Sequence, residues 1–163
     1  MRRNDEPEPG YDEVFTVTEY YDDPRQGIAN FNGHPHFYDC IFSEEKQDYS
    51  NLFQLTPIPQ ETFDLAIEDW AIWERWESAY YAGKVTFNTH PAMPEDRQRH
   101  EAIKTLLNEA LKTNSVTCSV RTGEFLPESR PELPAGKIRP LKVKWSEQEP
   151  GEERYGLNTF RRS

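Results

Sequence analysis

No segment of this 163-residue chain is apolar over anything near the roughly 20 positions that a membrane-spanning helix needs. The N-terminal MRRNDEPEPG has no hydrophobic stretch behind its arginines, so it does not read as a secretion signal, and a cytoplasmic location is the expectation. Cysteine is scarce: the chain has Cys40 and Cys118 and no C-x-x-C pair, and in a reducing compartment both are expected as free thiols. Internal repeats are missing, as is any glycine-rich loop able to cradle a phosphate. Aliphatic and Phe residues are few. Leu, Ile, Val and Phe make up 32 of the 163 residues, yet 26 of them lie between Val14 and Leu126. That total is near the level, about one-fifth, below which a charged chain fails to build a core. The deficit therefore belongs to the ends. The expected organisation is an acidic disordered tail over 1–13, a single domain over 14–145 and a flexible tail over 146–163.

What the chain has in abundance is negative charge, unevenly spread. The net charge is −10. Residues 14–83 alone hold thirteen acidic against three basic side chains, whereas the stretch beyond them is slightly basic. An acidic field repels phosphate backbones and anionic lipid, so neither direct nucleic-acid binding nor membrane binding is expected. A basic protein partner is. The plainer alternative is that the acids keep an aromatic-rich chain soluble.

The pattern of residues predicts an α+β fold, with a small antiparallel, partly barrel-like sheet made from an N-terminal meander and C-terminal strands, packed by two α-helices. VFTVTEYY (14–21), GIANF (27–31), HFYDCIF (36–42) and NLFQLTPI (51–58) carry the β-branched and aromatic residues of strands. Between the second and third, Asn32-Gly33 supplies the two residues that tolerate positive φ in a type I′ hairpin. After Pro59 the period changes to that of a helix of about six turns ending at Gly83. A second helix is expected from about Pro94 to Lys112. VTCSVR returns to a strand, TGEFLP reads as a turn, and KIRPLKVKW reads as a final edge strand because of its internal Pro140.

Four sets of residues invite chemistry. His34, His36 and Cys40 share a parity on a strand, and with His100 they raise the prospect of zinc or another divalent metal. Pro35 and Gly33 put His34 beside a turn, however, where the parity need not hold. Asp96 and His100 are four apart on the second helix, near enough for a carboxylate to orient an imidazole, although no nucleophile accompanies them. Trp70, Trp73 and Trp76 recur every three residues and drift around the helix, so that Trp73, with Tyr81, Glu68 and Asp69, is expected near the surface. Asp22, Asp23, Glu44, Glu45 and Asp48 fall in loops at strand ends and would form a negative rim if those loops meet. Solvated charge, a capped turn and a packed core are the ordinary roles for the same residues. The leading expectation is a small binding or inhibitory protein of the immunity type, without a cofactor, that engages a basic partner through an acidic, aromatic-bearing surface. The alternatives are a metal-dependent hydrolase built on the His/Asp/Cys cluster and a structural subunit of a larger assembly.

Overall fold

The computed structural model describes residues 10–112, 117–127 and 141–148. The expected tails lie largely outside this range. The chain forms seven antiparallel strands and two α-helices: β1 (Asp12–Val14), β2 (Glu19–Tyr21), β3 (Asp23–Phe31), β4 (His34–Ser43), β5 (Asp48–Pro57), α1 (Gln60–Tyr81), α2 (Arg97–Ala110), β6 (Ser119–Pro127) and β7 (Leu141–Ser146). They divide into two compact units, one holding the strands and the other running from Ile58 to Lys112.

In the sheet unit the strand order is β1-β7-β6-β5-β4-β3-β2, and β1 also pairs with β3. That second pairing, Val14 against Ala29, closes six of the strands into a barrel. Closure gives each of these six strands a neighbour on both sides, which removes edges that would otherwise template aggregation. β1 begins at Asp12, inside the expected tail, because its pairing with Leu141–Val143 on one side and Ala29 on the other holds it. The same pairing corrects the reading of the last strand. β7 lies between β6 and β1 and is no edge; it starts after Pro140, which is outside the described residues.

The hairpin at Asn32-Gly33 forms as its residues dictate. Asn32 has φ 55° and Gly33 φ 75°, both positive as a type I′ turn requires, and Phe31 pairs with His34 across it. From this turn the alternation of β4 points His36, Tyr38 and Cys40 into the barrel, where Tyr38 is wholly buried. Tyr38, Phe53, Phe125 and Trp145 form an interior quartet whose six ring pairs all lie between 5.4 and 6.0 Å. Each such pair contributes about 0.5–1.5 kcal/mol beyond the area it buries.

Two glycines make room for this quartet. A Cβ at Gly123 would stand 2.6 Å from the Trp145 ring, and TGEFLP, expected as a turn, continues as strand β6 through its pairing with β7. A Cβ at Gly27 would stand 2.1 Å from the Thr16 carbonyl and 2.6 Å from the Tyr38 hydroxyl. The hydroxyl donates to that carbonyl at 2.8 Å. Thr16 is also tied to β3, since the Ile28 N–H donates to its Oγ1 at 2.9 Å and its own N–H reaches the Ile28 carbonyl at 3.2 Å. This knot explains why VFTVTEYY is not one strand. Residues 15–18 bulge out of the ladder between β1 and β2.

The helical unit follows its sequence closely. Gly83 (φ 76°) ends α1 in a Schellman motif, with Gly83 N–H on the Tyr80 carbonyl at 3.0 Å and Lys84 N–H on the Ala79 carbonyl at 2.9 Å. A 3₁₀ turn at Pro94–Asp96 leads into α2. Ile72, Ala92 and Ile103 form the buried centre of this unit, with Leu65 and Leu107 packed against it.

Candidate functional site

The antiparallel order brings the β2–β3 turn and the β4–β5 turn to the same end of the barrel. Side chains confirm their proximity: the Tyr21 and Tyr49 ring centroids are 6.1 Å apart, and Phe42 meets Tyr49 edge-on at 5.3 Å. Asp22 and Asp23 belong to the first turn, Glu44, Glu45 and Asp48 to the second, and all five are exposed. Asp22 and Gln47 hold positive φ (64° and 53°), which tightens both turns. Among these carboxylates stand large apolar surfaces, with Tyr20 60%, Tyr21 61% and Phe42 43% exposed.

Two cations sit at this negative rim, Lys46 in the second turn and Arg25. Arg25 projects from β3, its Nε donating to the Tyr21 carbonyl at 2.9 Å and its guanidinium carbon 4.7 Å from the centre of the Tyr49 ring. Its Nη1 reaches the Cys40 sulfur at 3.6 Å. The Cys40 thiol donates to the Ser50 carbonyl at 3.2 Å, and burial pushes it up to about 11 against the partial relief that Arg25 supplies. Such a thiol is inert at neutral pH.

Below the rim β5 and β6 part. Their pairing runs from Leu55–Ser119 to Leu52–Thr122 and stops, although β5 extends back to Asp48 and β6 on to Pro127. The wedge holds a pocket of about 280 Å³ whose lining includes Asp23, Arg25, Tyr49, Asn51, Phe53 and Phe125. Sequence reading missed this feature, since it needs the register of two strands some 70 residues apart, Leu52 against Thr122.

The other candidate residues are placed differently. Glu68 grips Arg99 through two bonds of 2.7 and 2.8 Å, which hold its carboxyl below the usual range. Asp69 meets His100 Nδ1 at 2.7 Å. Asp96 is therefore not the partner of His100; its two oxygens take Arg75 at 3.0 and 3.1 Å. The inter-helix contact wins because the side chains of α1 and α2 face each other, while four residues along one helix Asp96 sits in the 3₁₀ turn. Trp73 stacks on Trp70 at 4.8 Å and is half-buried, Trp76 is buried with its Nε1 donating to Thr89 Oγ1 at 2.8 Å, and Tyr81 is half exposed.

The metal candidates do not converge. His36 and Cys40 do face the barrel interior, but four strand residues separate them by about 13 Å, far more than one ion with ligand bonds of about 2.0–2.3 Å can bridge. The Nδ1 of His36 lies 2.7 Å from the His34 carbonyl, burial lowers its affinity for a proton, and His34 itself is exposed. His100 belongs to the helical unit. Among the described residues no three His, Cys, Asp or Glu side chains form a metal-holding group, and no helix is long and apolar enough to cross a membrane. Comparison of the chain with protein-family models, with curated proteins and with solved structures found no match.

Proposed function

We propose that the acidic end of the barrel is a docking surface for a basic protein, so that the chain acts as a binding or inhibitory protein of the immunity type. The observation that carries this reading is the meeting of two turns, joined by the Tyr21–Tyr49 contact, which sets five exposed carboxylates around exposed Tyr20, Tyr21 and Phe42. Aromatic side chains supply contact area and stack on guanidinium groups, while the surrounding acids steer a cationic surface in and orient it. Glu68 and Asp69 are engaged by Arg99 and His100, so the reading rests on the barrel end.

The test is to isolate the partner by co-purification from the native source and to follow affinity from about 50 to about 500 mM salt, a range over which the screening length falls from roughly 14 to 4 Å. Affinity should fall steadily, chiefly through slower association. The neutralised variant Asp22→Asn/Asp23→Asn/Glu44→Gln/Glu45→Gln/Asp48→Asn should bind more weakly at low salt and show a flatter salt response. A partner whose affinity is the same at both ends of the range would exclude the reading.

A further inference from the structure

The pocket between β5 and β6 carries two opposite charges that do not neutralise each other. Asp23 and Arg25 both line it, two residues apart on β3. Among the described residues neither forms an ion pair. Arg25 is nonetheless held still, by the Tyr21 carbonyl at Nε, by Cys40 at Nη1 and by the face of Tyr49. Among the described residues no hydrogen bond engages its Nη2. Asn51 adds an exposed carboxamide, and the Phe53 and Phe125 rings, locked in the interior quartet, provide an apolar floor.

Charge sorts the possible occupants. A lone cation would meet Arg25. A lone anion would gain Arg25 but meet Asp23 and the carboxylates of the rim. An uncharged ligand would leave both groups to water, forgoing two charge-assisted bonds. A molecule bearing both charges a few bonds apart satisfies each group, has no net charge to be repelled by the rim, and can lay an apolar tail on the floor. We propose that this pocket binds a small zwitterion, an α-amino acid with an apolar side chain: its carboxylate on Arg25 and Asn51, its ammonium on Asp23 and its side chain over Phe53 and Phe125. The fixed guanidinium favours this, because little freedom is lost when it takes a ligand. The inference does not depend on a protein partner.

The full chain, labelled with ¹⁵N, is titrated by NMR with five probes: L-leucine, L-phenylalanine, 3-methylbutylamine, 4-methylpentanoate and N-acetyl-leucinamide. At least one of the two amino acids should saturate with a Kd of about 1 mM or tighter. The amine, the acid and the blocked amide should each bind about tenfold more weakly or worse. Asp23→Asn, at an exposed position where folding is not at stake, should weaken the amino acid about tenfold and bring it level with 4-methylpentanoate. Saturable binding by neither amino acid overturns the proposal. So does blocked or singly charged ligand binding as tightly as the zwitterion, or an affinity that Asp23→Asn leaves unchanged.

Discussion

Gly27→Ala is the sharpest test of how the barrel is packed. The new methyl would stand 2.1 Å from the Thr16 carbonyl oxygen and 2.6 Å from the Tyr38 hydroxyl, and the first of these is backbone that no rotamer change can move. Thr16 is 2% exposed and fastened to β3 by two hydrogen bonds, so the bulged segment must shift as a body. Overpacking of this kind costs about 1–3 kcal/mol. Losing the Tyr38–Thr16 hydrogen bond inside the barrel adds about 1–3 kcal/mol. Together they take about 2–6 kcal/mol from a stability of the order of 5–15 kcal/mol, which in a chain of this length lowers the melting temperature by roughly 5–20 °C. Urea unfolding followed by far-UV circular dichroism measures the change directly. Tyr38→Phe alone should cost about 1–3 kcal/mol by stranding the buried carbonyl. In the Tyr38→Phe background the alanine should cost less than in the native one, with a coupling of at least about 0.5 kcal/mol, because one of its two clashes is gone. If Gly27→Ala unfolds within about 0.5 kcal/mol of the native chain, the account of this knot is refuted.

Three further outcomes are expected. Gly33→Ala, at φ 75° in the hairpin turn, should destabilise by about 1 kcal/mol in the same urea assay, whereas Asn32→Gly should be close to neutral. Cys40 favours its protonated thiol when folded, its value raised from 9.0 to about 11 by burial, so its contribution is complete below pH 9 and is lost as pH climbs towards 11. Stability measured across that window should therefore fall more steeply in the native chain than in Cys40→Ser, and at pH 8 a thiol reagent should modify Cys118 well before Cys40. Asp69→Ala, which leaves the buried His100 without its 2.7 Å partner, should cost about 1–2 kcal/mol, while Glu68→Ala should leave stability nearly unchanged because Glu68 and Arg99 both lie in water; equal losses would refute the distinction.

The local features of this protein were legible because their causes are local. Asn32-Gly33 turns with two positive φ values since those residues tolerate them, and Gly83 ends α1 for the same reason. The helix over Gln60–Tyr81 was readable from its period and its flanking Pro59. Even the gathering of Asp22, Asp23, Glu44, Glu45 and Asp48 followed from placing two turns in a meander, though only tertiary contact showed Tyr21 against Tyr49.

What the sequence by itself determined was thus the strand-and-helix content, the principal turns and the excess of acid on the first half of the chain. Tertiary structure decided the rest, because the interactions responsible join residues far apart in the chain. β1 pairs with β7 across more than a hundred residues and with β3 at Val14–Ala29, which closes the barrel-like sheet expected from the sequence and makes an expected edge an interior strand. Gly123 is extended and not a turn because β6 pairs there with β7, and it is glycine because Trp145 occupies the space a side chain would need. His100 takes Asp69 in place of Asp96 because facing helices offer a nearer carboxylate than the same helix does. The parting of β5 from β6 beyond Leu52–Thr122, with Arg25 and Asp23 lining the pocket beside it, depends on register, which no local run of residues encodes.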